Sequence, residues 1–138
     1  EIPLRLVGSE MCIRDRSRCV RLATYCGYPD AERDNRIMEM NFGDWEMKSF
    51  DEISDPRLKE WYADYINVPA TNGESFAIQY QRVASFLDEL KEKNYEKIAI
   101  FAHGGVLICA QLYAGAIKQE EAFSALTPYG GIIQLRLD

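Results

Sequence analysis

Lys97-Ile98-Ala99-Ile100-Phe101-Ala102-His103-Gly104-Gly105-Val106 is the stretch on which the fold turns. Ile98 to Phe101 is apolar without alternation, which suits a parallel strand covered on both faces better than a half-exposed one. The run passes through His103-Gly104-Gly105 into a second apolar segment, Val106 to about Ala114, that reads as a helix. His103 therefore stands at the carboxyl end of a buried strand, where open α/β sheets bind their ligands. The two glycines let backbone N–H groups approach an anion, and the helix end favours negative charge. His103 is the chain's only histidine. A lone histidine is more often structural than catalytic, but this placement points to a phosphate or carboxylate site. A dinucleotide is a weaker fit, because His-Gly-Gly is not a GxGxxG fingerprint.

Working outward, Ser75 to Leu90 is the clearest helix. Phe76, Tyr80, Val83, Leu87 and Leu90 recur at spacings of four and three and form one apolar stripe, with Asn72 or Ser75 as cap. Ser17 to Cys26 fits another helix, with Cys19, Leu22, Ala23 and Cys26 on one face and Gly27 as its stop. Ile37–Met40 is a short, mostly apolar stretch leading into a turn at Asn41–Asp44. Glu46 to about Ile66 reads as two short helices divided at Asp55–Pro56. Ile133, Leu135 and Leu137 alternate with Gln134 and Arg136, the pattern of a half-exposed strand. The expected class is α/β, three layers in αβα order, with a mostly parallel sheet flanked by helices.

The 138 residues, 47% apolar and 28% charged, suit one globular domain with a real core. No run approaches the ~18 apolar residues of a membrane helix, and nothing reads as a signal peptide. A net charge of −6 argues against nucleic-acid and anionic-membrane partners. Cys12, Cys19, Cys26 and Cys109 lack CxxC spacing and have one histidine to join them, so no metal is expected. Free thiols suit a reducing, cytoplasmic setting.

Two further residues draw notice. Glu39 sits between apolar neighbours in Ile37-Met38-Glu39-Met40, where burial disfavours the charged form and a protonated carboxyl can act as a general acid; a solvated edge glutamate is the alternative. Arg18 stands at the start of a helix, mildly unfavourable for a cation, which hints at a nearby anion; surface solvation is the alternative.

Together these positions resemble the histidine phosphatase superfamily, from Ser17 to the C-terminus. Ser17-Arg18-Cys19 with Ala23 is similar to the end of the family's Ser-x-Leu-x-Arg-x-x-x-x-Ala segment. Ile37-Met38-Glu39 with Phe42-Gly43-Asp44-Trp45-Glu46 resembles its Leu-x-Glu-x-x-Phe-Gly-x-Trp-Glu motif. Gly73-Glu74-Ser75-Phe76 resembles the Gly-Glu-Ser opening of a long helix, and Ile100-Phe101-Ala102-His103-Gly104-Gly105 the strand ending in the second active-site histidine. The resemblance implies phosphomonoester hydrolysis through a phosphohistidine, without cofactor, on a small phosphorylated metabolite. Glu39 would be the proton donor, His103 catalytic, and Arg18, His103 and Gly104 phosphate-binding; Trp45, Glu74 and Ser75 would line the substrate side. The Phe-Gly-Asp-Trp-Glu form and the short stretch from Trp45 to Gly73 resemble the α-ribazole phosphatases of cobalamin biosynthesis. Phosphoglycerate mutase or broad-range sugar phosphatase chemistry is the alternative, and a non-catalytic phospholigand-binding domain a third. Met47 stands where the family usually has glycine after Trp-Glu.

Residues 1–16, EIPLRLVGSEMCIRDR, resemble the translated read-through of a transposon-type sequencing adapter. On that reading residues 17–138 are a truncated histidine phosphatase domain and Cys12 carries no function. Omitting the segment removes three basic and three acidic side chains and leaves the net charge unchanged. The family's Leu-x-Arg-His-Gly nucleophile motif is absent, so the chain as written is expected to be inactive, with its N-terminal strand missing. Ile2–Val7 is a weak substitute strand, because Pro3 cannot donate to a ladder.

Overall fold

The computed structural model describes residues 4–8, 18–29, 31–93, 98–122, 124 and 131–137. In chain order it contains β1 (Leu4–Gly8), α1 (Arg18–Tyr25), β2 (Glu32–Asp34), α2 (Arg57–Ala63), α3 (Phe76–Glu92), β3 (Ile98–Phe101) and α4 (Gly104–Tyr113), with short 3₁₀ turns at Asn35–Ile37, Gly43–Trp45, Phe50–Glu52 and Gln119–Glu121.

The sheet has the order β2-β1-β3 and is parallel throughout. Leu6 of β1 is in register with Glu32 on one side and Ile100 on the other, and Val7 with Arg33 and Phe101. Leu4–Gly8, from the segment read as a weak substitute strand, takes the central position in the sheet. The physical reason is that β2 and β3 each offer a row of backbone N–H and C=O groups that must be paired. Ladder pairing asks little of the sequence beyond an extended backbone. Pro3, Cys12 and the rest of 1–16 outside β1 lie outside the described residues.

Helices cover both faces. Successive strand side chains point to opposite sides, and Ile98 and Ile100 join the cluster built by α3 and α4. Phe101 instead packs with Cys19 and Ala23 of α1. This is the three-layer αβα arrangement read from the sequence. The main core holds Val83, Phe86, Leu87 and Leu90 of α3 with Val106, Ile108 and Cys109 of α4. Each such side chain contributes on the order of 1.5–3 kcal/mol by leaving water. A second cluster stacks Trp45 edge-on against Trp61, with Ile53 and Ala70.

Three local expectations change. The α1 face buries Cys19 and Ala23 but leaves Leu22 and Cys26 exposed. Of the two helices expected between Glu46 and Ile66, the first is the 3₁₀ turn at Phe50–Glu52; only the second is a true helix, α2. Residues 131–137 form no strand, although Ile133, Leu135 and Leu137 keep the alternate half-burial their pattern implied. A period of two sets which side chains turn inward; it does not supply a ladder partner.

Candidate active site

The site is built on the N-terminus of α4. His103 is the residue before that helix, in extended conformation, and is buried. Its Nε2 lies 3.5 Å from Sγ of Cys19, the second residue of α1. Two helix N-termini therefore meet at His103. Arg18 is the first residue of α1 and the chain neighbour of Cys19; its side chain lies outside the described residues. Gly104 is the first residue of α4.

Glu39 reaches the same helix end from the other direction. Its Oε2 accepts from the Gly105 N–H at 3.2 Å, and its Oε1 accepts from the Met40 N–H at 2.9 Å and from Nε2 of Gln79 at 3.0 Å. A carboxylate on a helix N–H is favourable on both hydrogen-bond and dipole grounds. Only glycine permits this approach: a Cβ at Gly105 would lie 2.3 Å from Oε1 of Glu39. The structure thus brings Glu39, His103 and Gly104 to one helix end. One donor expected there for an outside anion, the Gly105 N–H, is given to Glu39.

Glu39 is carried by a loop fastened to α3. Arg82 donates to the carbonyl oxygens of Arg36 at 2.9 Å, Met38 at 2.7 Å and Glu39 at 3.2 Å. The same guanidinium holds Glu74 through Nε at 2.8 Å and an NH2 group at 2.9 Å. Oε1 of Glu74 in turn accepts from the Asn41 N–H at 2.9 Å. Burial raises the pKa of Glu74, but the Arg82 and Asn41 donors outweigh it and hold the carboxyl below its ordinary value. Beyond Asn41 the loop interlocks with the turn before α3. A Cβ on Gly43 would meet the Thr71 carbonyl oxygen at 2.2 Å, and one on Gly73 the Asn41 carbonyl oxygen at 2.4 Å.

These contacts correct the expectation that Glu74, Ser75 and Trp45 line the substrate side. Glu74 is bound by Arg82. Ser75 is buried and caps α3, accepting from the Ile78 N–H at 3.3 Å. Trp45 is buried, and its Nε1 donates to Asp55 at 3.1 Å. Glu74 helps to fasten the Glu39 loop, Ser75 starts α3, and Trp45 belongs to the second aromatic cluster. Sequence reasoning missed Gln79 and Arg82. A signal for Gln79 was present: it stands three residues after Phe76 and four before Val83, a polar residue within the apolar stripe. Burial, with Glu39's negative charge second, pushes the Cys109 thiol up to about 12, so Cys109 stays protonated behind the site. Among the described residues no group of three His, Cys, Asp or Glu side chains converges as a metal site would require, and no helix is long and apolar enough to cross a membrane.

A histidine at the end of a parallel sheet and a carboxyl thus share one helix N-terminus in a three-layer α/β domain. The chain matches the histidine phosphatase superfamily (branch 1) over residues 14–138 and belongs to that family. It is 37% identical over 75 residues to the adenosylcobalamin/α-ribazole phosphatase of Escherichia coli, covering 51% of this chain and 37% of that protein. It is 28% identical over 108 residues to a candidate phosphoserine phosphatase of Hydrogenobacter thermophilus, covering 76% of this chain and 53% of the relative. The crystal structure of the α-ribazole phosphatase from Shigella flexneri superposes with a TM-score of 0.71 at 26% identity, over 93% of this chain and 64% of that one. The chain thus spans about half or less of the length of these curated relatives.

Proposed function

We propose that this domain hydrolyses phosphomonoesters through a phosphohistidine, with Glu39 as proton donor and His103 and Arg18 holding the transferring phosphoryl group. The observation that carries this reading is Glu39 seated on the Gly105 N–H, two residues from His103. An imidazole nitrogen attacks phosphorus, the P–O ester bond breaks, and Glu39 gives its proton to the departing alkoxide. Water then attacks phosphorus, the P–N bond breaks, and the proton lost by water returns to Glu39. The His103 side chain and the N-terminus of α4 stabilise charge on the equatorial oxygens. His103 is the only histidine in these residues, so the attacking imidazole must be supplied by sequence that they do not contain. As written, the chain binds phosphoryl groups without turning them over, and residues 1–16 take no part in the chemistry.

The proposed substrate is α-ribazole 5′-phosphate, supported by the Phe42-Gly43-Asp44-Trp45-Glu46 form and by the names of the E. coli and S. flexneri proteins. Phosphoserine is the second reading, favoured by the name of the H. thermophilus relative. The test compares hydrolysis of α-ribazole 5′-phosphate, phosphoserine, 3-phosphoglycerate and sugar phosphates by the chain joined to an upstream Arg-His strand. Preference for α-ribazole 5′-phosphate by tenfold or more in kcat/KM is expected. A faster rate on phosphoserine would overturn the substrate assignment, and full activity retained in Glu39→Gln would overturn the role of Glu39.

A further inference from the structure

Gln79 is fully buried, yet its amide is half used. Nε2 donates to Oε1 of Glu39, while Oε1 of Gln79 has no hydrogen-bond partner among the described residues. A buried amide oxygen left without a donor costs about 1–3 kcal/mol, and an apolar residue of the same length would avoid that cost. The position on α3 lies in the apolar stripe between Phe76 and Val83, so packing alone does not call for glutamine.

The arrangement has chemical sense if Glu39 changes its protonation state. An ionised carboxylate only accepts, and it meets three donors here: Met40 N–H, Gly105 N–H and the Gln79 amide. A protonated carboxyl must also donate once. The two backbone N–H groups cannot accept. The Gln79 amide can, because half a turn about its last side-chain bond exchanges NH2 for C=O at nearly the same point. The amide already lies against the Glu39 carboxyl, with Nε2 3.0 Å from its Oε1.

We infer that Gln79 is a positioning residue whose amide reverses with the protonation of Glu39, donating to the carboxylate and accepting from the carboxylic acid. This deepens the reading of Glu39 as proton donor and rests on it: a residue that cycles between acid and base needs a neighbour that matches both forms without moving the carboxyl from the helix end. The other groups facing Glu39 do not offer this. Arg82 of α3 donates to its carbonyl oxygen and is bound to Glu74. Cys109 of α4 is a protonated thiol, and His103 stands before α4 with Cys19 at its Nε2.

The test is an NMR titration of the full chain, following the Glu39 carboxyl carbon and the NOE between the Gln79 side-chain amide protons and the Met40 N–H. Both donors share one oxygen in the ionised state, so the NOE is expected to be strong above the Glu39 midpoint and to fall by at least half below it. In Glu39→Gln, which cannot titrate, it is expected to be independent of pH. An NOE that persists unchanged through the Glu39 midpoint overturns the inference, as does a loss with pH that survives in Glu39→Gln. Neither result touches the assignment of Glu39 as proton donor, which is decided separately by the activity of Glu39→Gln.

Discussion

Glu39 and Gly105 occupy each other's space: the carboxylate lies where any larger residue at position 105 would put its Cβ, 2.3 Å from Oε1. Glu39 comes from a loop and Gly105 from the first turn of α4, 66 residues apart in sequence. The missing side chain is thus a condition for the site, in addition to the freedom of backbone approach that the sequence suggested.

Gly105→Ala is therefore expected to drive the Glu39 carboxyl off the helix end. The flexible end of Glu39 can rotate, so the fold survives. The Gly105 N–H and the Gln79 amide lose their acceptor, at a cost of about 1–3 kcal/mol. Urea unfolding should show a lowered midpoint with unchanged slope, and the Gly105 N–H resonance should move upfield. A variant as stable as the parent, with Glu39 still on the Gly105 N–H, would contradict this.

Glu74 and Arg82 contribute to the acid limit of stability, alongside Asp34 and Asp55, whose carboxyls are also held below their ordinary values by hydrogen bonds. The folded-state pKa of Glu74 is below its unfolded value of 4.5. Such a group contributes stability that is fully present above the unfolded value and lost as pH falls through the folded one. Unfolding free energy should decline as pH drops below about 4.5, and Glu74→Gln should flatten that decline. Arg82→Met should cost about 3 kcal/mol at pH 7, because it leaves a partly buried carboxylate without its countercharge and three carbonyl oxygens without the Arg82 donor. An acid limb equally steep in Glu74→Gln would place the titrating group elsewhere.

Met47 holds a left-handed backbone, φ 64°, at the position where the resembling family has glycine. A side chain in that region costs roughly 1–2 kcal/mol, of which glycine's greater unfolded-state freedom takes back part. Met47 is also exposed, so little packing is lost. Met47→Gly should stabilise the chain by about 0.5–1 kcal/mol in thermal or urea unfolding. Destabilisation would mean that the Met47 side chain makes contacts that outweigh the strain.

How far the sequence could be read depended on whether a residue's role was local. His103 was legible because a strand, two glycines and a helix succeed one another in the chain, and adjacency in sequence fixes their geometry. Ser75 was legible as a cap for the same reason. Arg82 was not, because its four partner residues lie 8 to 46 residues away, and helical periodicity records only that it is off the apolar stripe. β2 was invisible in Glu32-Arg33-Asp34, three charged residues that are strand solely because β1 lies beside them. β1 was read only as a weak strand because of Pro3, yet the pairing begins at Leu4, past the proline.

That central strand supplies the last prediction. Leu4-Arg5-Leu6-Val7-Gly8, set against the family's Leu-x-Arg-His-Gly, has Leu6 and Val7 at the arginine and histidine positions. Val7 is in register with Phe101, two residues before His103, so the end of β1 and the end of β3 reach the same edge of the sheet. Leu6→Arg combined with Val7→His should therefore restore an Arg-His pair at the edge of the sheet where β3 ends. Incubation with a ³²P-labelled phosphomonoester is expected to yield acid-labile, base-stable label on the doubly substituted chain and none on the parent. Adding Glu39→Gln should slow its appearance by about 10²–10⁴-fold, the usual worth of a general acid. Equal labelling of the parent chain would show that phosphoryl transfer does not need a second histidine, and would remove the basis for expecting it to be inactive.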